Sequence, residues 1–191
     1  MPSKPISQTG QVKSPYPSQY ISLYSMKDGT VVTIRPIRPD DEPSMVKFHA
    51  TLSDRTVYSR YFGSLSLNRR VAHERLAHIC SCDYEREMVL VIESKAEQTG
   101  ELHILGVGRI NKLEDGEEAE LAVLISDPYQ GQGLGRALLV RLLSVARAQK
   151  LTRISAEMLP DNLAMQCLLR SFGFRLGRPD DPDSIHAVLD L

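Results

Sequence analysis

The chain has 191 residues, a formal net charge of −1, 25% charged residues and 42% apolar ones. That length supports one domain with a sizeable core, able to bury roughly 70% of its unfolded surface. The near-neutral balance excludes a global field for nucleic acid or an anionic membrane, and no run approaches the ~20 apolar residues of a membrane span. Lys4 is followed by no apolar stretch, so no secretory signal is expected. The three cysteines, Cys80, Cys82 and Cys167, form no disulfide framework and point to a reducing compartment, hence a cytoplasmic location. Cys80-Ser81-Cys82 is half of a metal site at most; no second ligand pair is spaced for it, so no metal is expected.

Residues 1–19 hold Pro2, Pro5, Pro15 and Pro17 among Ser, Gln and Gly, and are expected to form a flexible arm before a single domain over residues 20–191. Asp28-Gly29 marks a hairpin between strands 20–26 and 30–35, the second alternating well. Pro36 and Pro39 are expected to stop the sheet. Asp40 then caps a helix over 41–52, Ser53 or Asp54 starts one through Tyr61 that Gly63 terminates, and Asn68 caps a third carrying Val71, Arg75, Leu76 and Ile79 on one face. His73 and His78 read as surface or half-buried polar groups. Strands follow at 88–93 and 103–113, where Gly106 and Gly108 signal close packing or a bulge.

Residues 119–149 organise the rest. Leu121 to Ile125 form a continuous apolar strand, and Leu134, Leu138, Arg141, Leu142 and Val145 repeat at helical spacing. Gly131, Gly133 and Gly135 lie between them at alternate positions. A strand, a glycine-rich turn and a helix start together expose backbone N–H groups and a partial positive charge, suited to a phosphate. A strand at 152–158, a helix capped by Asp161 and ended by Gly173, and a terminal pair at 174–176 and 185–189 complete the chain. The order implies a mixed α/β (α+β) domain rather than repeated parallel units.

Three phosphate readings compete, beside a plain ligand-free connection. A P-loop needs Gly-Lys-Ser/Thr, but Arg136 and Ala137 follow Gly135. A dinucleotide turn needs a small residue at its last position; the two frames place Arg136 or Leu138 there, although Glu157 stands where a ribose-binding acid would. The third fits. Gln130-Gly131-Gln132-Gly133-Leu134-Gly135 resembles the Q/R-x-x-G-x-G/A signature of the GNAT superfamily of N-acetyltransferases. Leu159-Pro160-Asp161-Asn162, with Gly173-Phe174 eleven residues after the Asn, resembles that family's second block. Residues 33–42, Tyr58 to Phe62 and Val71 to Leu76 look like the GNAT module of bacterial protein lysine acetyltransferases that modify acyl-CoA synthetases. The regulatory regions that many of those proteins carry have no counterpart here.

The resemblance implies a GNAT fold, a central mixed and mostly antiparallel sheet flanked by helices, and acetyl-CoA as cosubstrate without a metal. It places Glu120 as general base for attack by a lysine of a protein such as acetyl-CoA synthetase. Glu118 is the rival base. Burial beside Leu121 and Ala122 is expected to raise the Glu120 pKa. By the same resemblance Val123, Leu124 and Ile125 offer backbone groups to the pantetheine arm. Gln130, Gly131, Gln132, Gly133, Leu134 and Gly135 cradle the pyrophosphate, Arg136 adds charge, and Asn162 touches the cosubstrate. Tyr58, Arg60, Tyr61 and Phe62 line the acceptor side or belong to a helix core. One departure is Leu169, which stands where many GNAT enzymes carry a Tyr as general acid. Acetylation of a small amine and a silent acyl-CoA-binding module are the alternative functions.

Overall fold

A computed structural model of the chain describes residues 15–96, 99–177 and 183–191. Eight strands form one sheet in the order β1-β2-β3-β4-β5-β6-β8-β7. They are β1 (Ser22–Ser25), β2 (Val31–Pro36), β3 (Glu87–Lys95), β4 (Leu102–Lys112), β5 (Glu118–Ile125), β6 (Arg153–Met158), β7 (Arg175–Gly177) and β8 (Ile185–Asp190). Every neighbouring pair is antiparallel except β5 with β6. The helices are α1 (Glu42–Ala50), α2 (Asp54–Tyr61), α3 (Leu67–Arg70), α4 (His73–Cys80), α5 (Leu134–Ala148) and α6 (Leu163–Arg170).

The alternation along the strands sends side chains into two cores, one on each face. Met88, Leu90 and Ile92 of β3 pack with Leu134, Leu138 and Leu142 of α5, while Val89 and Val91 pack with Met45, Phe48 and Leu76 of α1 and α4. Leu138 and Leu142 are fully buried, each contributing about 1.5–3 kcal/mol by area removed from water. Close approach explains Gly108: a Cβ there would lie 2.8 Å from a methyl of Leu142, so α5 sits flush on β4. Gly106 flanks the register shift that falls between Ile92 and Glu93 of β3.

Several boundaries differ from the sequence expectation. Pro36 does not stop the sheet but pairs with Leu90 in β2. It is tolerated because Ile37 donates to Val89, which turns the Pro36 nitrogen to the outer side, beyond the end of β1. On that side the Pro36 carbonyl accepts from the Tyr16 hydroxyl at 2.9 Å. Tyr16 therefore belongs to the folded body; residues 1–14 of the expected arm lie outside the described residues. The helix start expected after Asp40 is a single 3-10 turn, Pro39–Asp41, and α1 begins at Glu42. Its Asp41 carboxylate takes two hydrogen bonds from buried Arg35, which also meets Glu93. Burial alone would lower the Arg35 pKa, but the bonds to Asp41 and Glu93 outweigh it and raise the value.

Helix α2 runs through Tyr61 as expected, but the residue that ends it in the left-handed region, φ 57°, is Phe62 and not Gly63. The single helix expected from Asn68 is broken into α3 and α4, because Arg70 turns inward and donates to the carbonyls of Leu65 and His49. Asn162, not Asp161, caps α6, its Oδ1 accepting from the Met165 N–H. Within the loop expected between 177 and 184, residues 178–182 lie outside the described residues.

Candidate functional site

The site grows from a splay in the sheet. β5 and β6 pair only from Glu118 with Arg153 to Glu120 with Ser155, although β5 runs on to Ile125 and β6 to Met158. Beyond Glu120 the two strands part, and one edge of β5 is left without a strand partner. Ser126 donates to Leu105 of β4. By alternation, Leu124 turns its N–H and C=O to β4, while Val123 and Ile125 turn theirs to the open edge. Of the three expected backbone contacts, Val123 and Ile125 are therefore in position and Leu124 is not; its side chain packs in the core beneath α1.

The glycine turn closes the wide end of the splay. Gly131 and Gly133 have φ of 73° and 89°, conformations that glycine adopts without strain. A Cβ on Gly133 would also strike the Tyr24 hydroxyl at 2.8 Å. Helix α5 starts on Gly133 with no side-chain cap. Among the described residues, the N–H groups of residues 131–136 donate to no backbone carbonyl. A row of free N–H groups at the positive end of a 15-residue helix fits an anion such as a pyrophosphate.

The expected polar side chains divide by task. Gln130 donates to the Ile125 carbonyl at 3.1 Å and to Asp127 at 2.8 Å, and Gln132 donates to the Pro128 carbonyl. They brace the loop, leaving its backbone to face a ligand. Asp127 also accepts from the Ser53 N–H and the Thr56 hydroxyl, tying the loop to the start of α2. Burial would raise its pKa, but those bonds hold it below the usual carboxylate value. Arg136 is exposed at the helix start and stacks on Phe172 at 4.7 Å from the ring centre. Leu134 is buried under the turn, so it anchors the helix. Asn162 spends its Oδ1 as the α6 cap, with its amide NH2 still available. Lys27, at the β1–β2 turn, reaches the Gly131 carbonyl at 3.3 Å. Sequence reading missed Lys27 and Tyr24, because only the packing of α5 across the sheet, with Arg141 donating to Ser22 and Leu23 of β1, brings the first hairpin beside residue 131.

Glu120 stands where the splay begins. It is exposed, contrary to the partial burial expected, because nothing covers this end of β5. It makes no hydrogen bond or salt bridge with a described residue. Glu118, its rival, is paired with Arg153 at 2.9 Å. The Arg153 guanidinium thus occupies the Glu118 carboxylate, while that of Glu120 stands open to a substrate.

Glu120, Ala122 and Leu124 share a strand face with Val107 and Arg109 of β4. That face is roofed by α1, α2 and α4. A small cavity there is lined by His49, Arg60, Tyr61, Arg75 and Arg109. Burial, with Arg109 and Arg75 nearby, lowers the Arg60 pKa, while Tyr61 and Glu120 act the other way. Of the four residues expected on the acceptor side, Arg60 and Tyr61 line this cavity, whereas Tyr58 and Phe62 are exposed at 50% and 41%. Leu169 is fully buried.

A family model described as acetyltransferase (GNAT) domain matches residues 32–175. The chain belongs to the GNAT acetyltransferase family. Acetyltransferase PA5475 of Pseudomonas aeruginosa is 30% identical to this acetyltransferase over 164 residues, 86% of this chain and 85% of that protein. Acetyltransferase Pat of Mycolicibacterium smegmatis is 27% identical over 148 residues, 78% of this chain but only 42% of its own length. In three dimensions, the GNAT domain of S. lividans PAT superposes with a TM-score of 0.81 at 25% identity, covering 93% of this chain and all of that one. YncA of Salmonella typhimurium, solved with its cofactor acetyl-CoA, shares the fold with a TM-score of 0.62 at 23% identity, over 84% of this chain and 94% of its own.

The acetyltransferase has no group of three or more His, Cys, Asp or Glu poised for a metal among its described residues. Burial pushes the thiols of Cys80 and Cys82 up to about 12, so both are packing residues. His73 and His78 are exposed, His73 lying 2.7 Å from Glu42. No helix among the described residues is long and apolar enough to cross a membrane.

Proposed function

We propose that this acetyltransferase moves an acetyl group from acetyl-CoA to the ε-amine of a protein lysine, on an acyl-CoA synthetase such as acetyl-CoA synthetase, in the cytoplasm. The observation that carries the reading is the convergence at the splay. The free N–H row of residues 131–136, the open edge at Val123 and Ile125, and the unpaired Glu120 carboxylate lie along one continuous strand and turn. The likeness to the S. lividans PAT domain, which spans that whole domain, supports the protein acceptor.

Acetyl-CoA supplies an activated thioester. The N–H groups of residues 131–136, with Arg136 beside them, hold its pyrophosphate, and the open β5 edge orients the arm that carries the thioester. A lysine amine has a reference pKa of about 10.4, so presenting it neutral at pH 7 costs roughly 4–5 kcal/mol. Glu120 accepts that proton, directly or through a water, as the nitrogen attacks the carbonyl carbon. The N–H of Val123 or Ile125 stabilises the charge that grows on the carbonyl oxygen. The nitrogen releases its second proton to solvent as the carbon–sulfur bond breaks. Leu169 has no proton to give, so CoA leaves as the thiolate and is protonated by solvent; a thiol pKa of about 8.5 makes it a tolerable leaving group.

Titration calorimetry with acetyl-CoA tests the donor half. Acetyl transfer to purified acetyl-CoA synthetase, with its lysines read by mass spectrometry, tests the acceptor half. Absence of acetyl-CoA binding at millimolar concentration overturns the reading. Acetylation of a small amine in place of the protein lysines moves it to a small-molecule enzyme, and binding without transfer to a silent module.

A further inference from the structure

The cavity beside Glu120 carries more unpaired hydrogen-bonding capacity than packing explains. Arg60 and Arg75 both stack on the Tyr61 ring, 5.3 and 5.2 Å from its centre. Neither forms a salt bridge with a carboxylate among the described residues. The Nε of Arg75 is buried with no acceptor, and both ring nitrogens of His49 are buried with no partner, the residue being 2% exposed. Arg109, the third guanidinium, meets Glu87 at 3.2 Å. Burial, with Arg70 and Arg75 close by, drops the His49 pKa to about 4, so at neutral pH the ring offers one donor and one acceptor rather than a further charge. Buried polar groups are ordinarily paired, and a cluster of exceptions in one cavity asks for a ligand.

We propose that this cavity receives a carboxylate of the acceptor substrate, held by Arg60, Arg75 and His49 while the acceptor amine lies at Glu120. The inference rests on reading the Glu120 face as the acceptor side. A carboxylate matches the donors, since its two oxygens fit planar guanidinium groups. An ammonium would add a further cation to three guanidinium groups, so the lysine amine itself does not enter. Size limits the guest: the cavity offers about 60 Å³ of room for solvent. A water needs ~10–15 Å³ on that measure, so a carboxylate fits and a nucleotide does not. Geometry sets the spacing. Ala122 lines the cavity and Glu120 lies two residues before it on the same strand face, which is about 6.6 Å along the strand. The acceptor thus carries its carboxylate about that far from its amine. An Asp or Glu beside the target lysine, or free lysine reacting through its ε-amine, presents that chemistry.

The test has a binding arm and a kinetic arm. Glutarate and its neutral diamide are titrated into the full chain while the His49 imidazole is followed by NMR. Glutarate is expected to shift the His49 resonances and raise its pKa, the diamide to do neither, and Arg75→Gln to abolish the response. Arg60→Lys, which keeps the charge but loses the fork, is expected to retain part of it. In the kinetic arm, lysine peptides with Glu or Gln next to the lysine are compared, together with free lysine and its decarboxylated analogue cadaverine. The carboxylate member of a pair is expected to have a KM lower by about 10-fold or more. Preference within the peptide pair identifies a protein source, and preference within the free pair a small molecule. Unmoved His49 resonances at 100 mM glutarate, or equal KM values within both pairs, would overturn the proposal. Glutarate binding at His49 without any acetyl transfer would sustain the site and refute the transfer reading.

Discussion

His49 makes the acid limb of the stability curve a sensitive probe of the cavity. The residue is 2% exposed, its ring hydrogen-bonds to no described residue, and it faces Arg70 and Arg75, with Arg60 and Arg109 around the same cavity. Its pKa falls from 6.5 to about 4 in the folded state. Between those values the unfolded chain binds a proton at this position and the folded chain does not, so stability falls as pH falls. Integrated from pH 7 to pH 5, the single group costs about 2 kcal/mol. His49→Leu removes the titration together with two unpaired nitrogens, so near pH 7 the variant is expected to match or exceed the parent. Urea unfolding of both proteins at pH 7 and pH 5 measures the difference. The parent is expected to lose about 2 kcal/mol more than the variant over that interval. Parallel losses in the two proteins would show that His49 is not held neutral, and the account of the cavity would be wrong.

Arg35→Met leaves the Asp41 and Glu93 carboxylates around a buried gap, and is expected to cost about 3–5 kcal/mol in urea unfolding. Gly133→Ala places a methyl 2.8 Å from the Tyr24 hydroxyl at φ 89°. The expected loss is about 1–3 kcal/mol of stability, with weaker acetyl-CoA binding by calorimetry; unchanged binding would remove the turn from the donor site. Glu120→Gln is expected to lower kcat by about 10²- to 10⁴-fold, read in steady-state acetyl-transfer assays. Glu118→Gln, which removes the charge paired with Arg153, is expected to leave kcat within a few-fold of the parent.

The order of elements and the glycine turn were legible in the chain because both rest on local signals: apolar periodicity, alternation and glycine spacing. The ends of elements were less so. Nothing in the sequence says that the Pro36 nitrogen faces a side where β1 has ended, or that Arg70 turns inward and divides α3 from α4. The candidate site could be proposed from the sequence where a motif marks it, at residues 130–136, and Glu120 by its position ahead of that motif. The cavity opposite was not. Tyr58 to Phe62 pointed toward it, but Arg75 and His49 join it from other helices and Arg109 from β4, contacts that only packing brings together. The splay itself is a property of two strands whose pairing stops after three residues, which no local pattern encodes.

The measurement that bears most directly on the central claim is mass spectrometry of acetyl-CoA synthetase after incubation with acetyl-CoA and either this acetyltransferase or its folded Glu120→Gln variant. The account predicts a lysine that gains one acetyl group with the parent and gains it at least about 100-fold more slowly with the variant. A synthetase left unmodified by the parent, or modified equally fast by both, would contradict it.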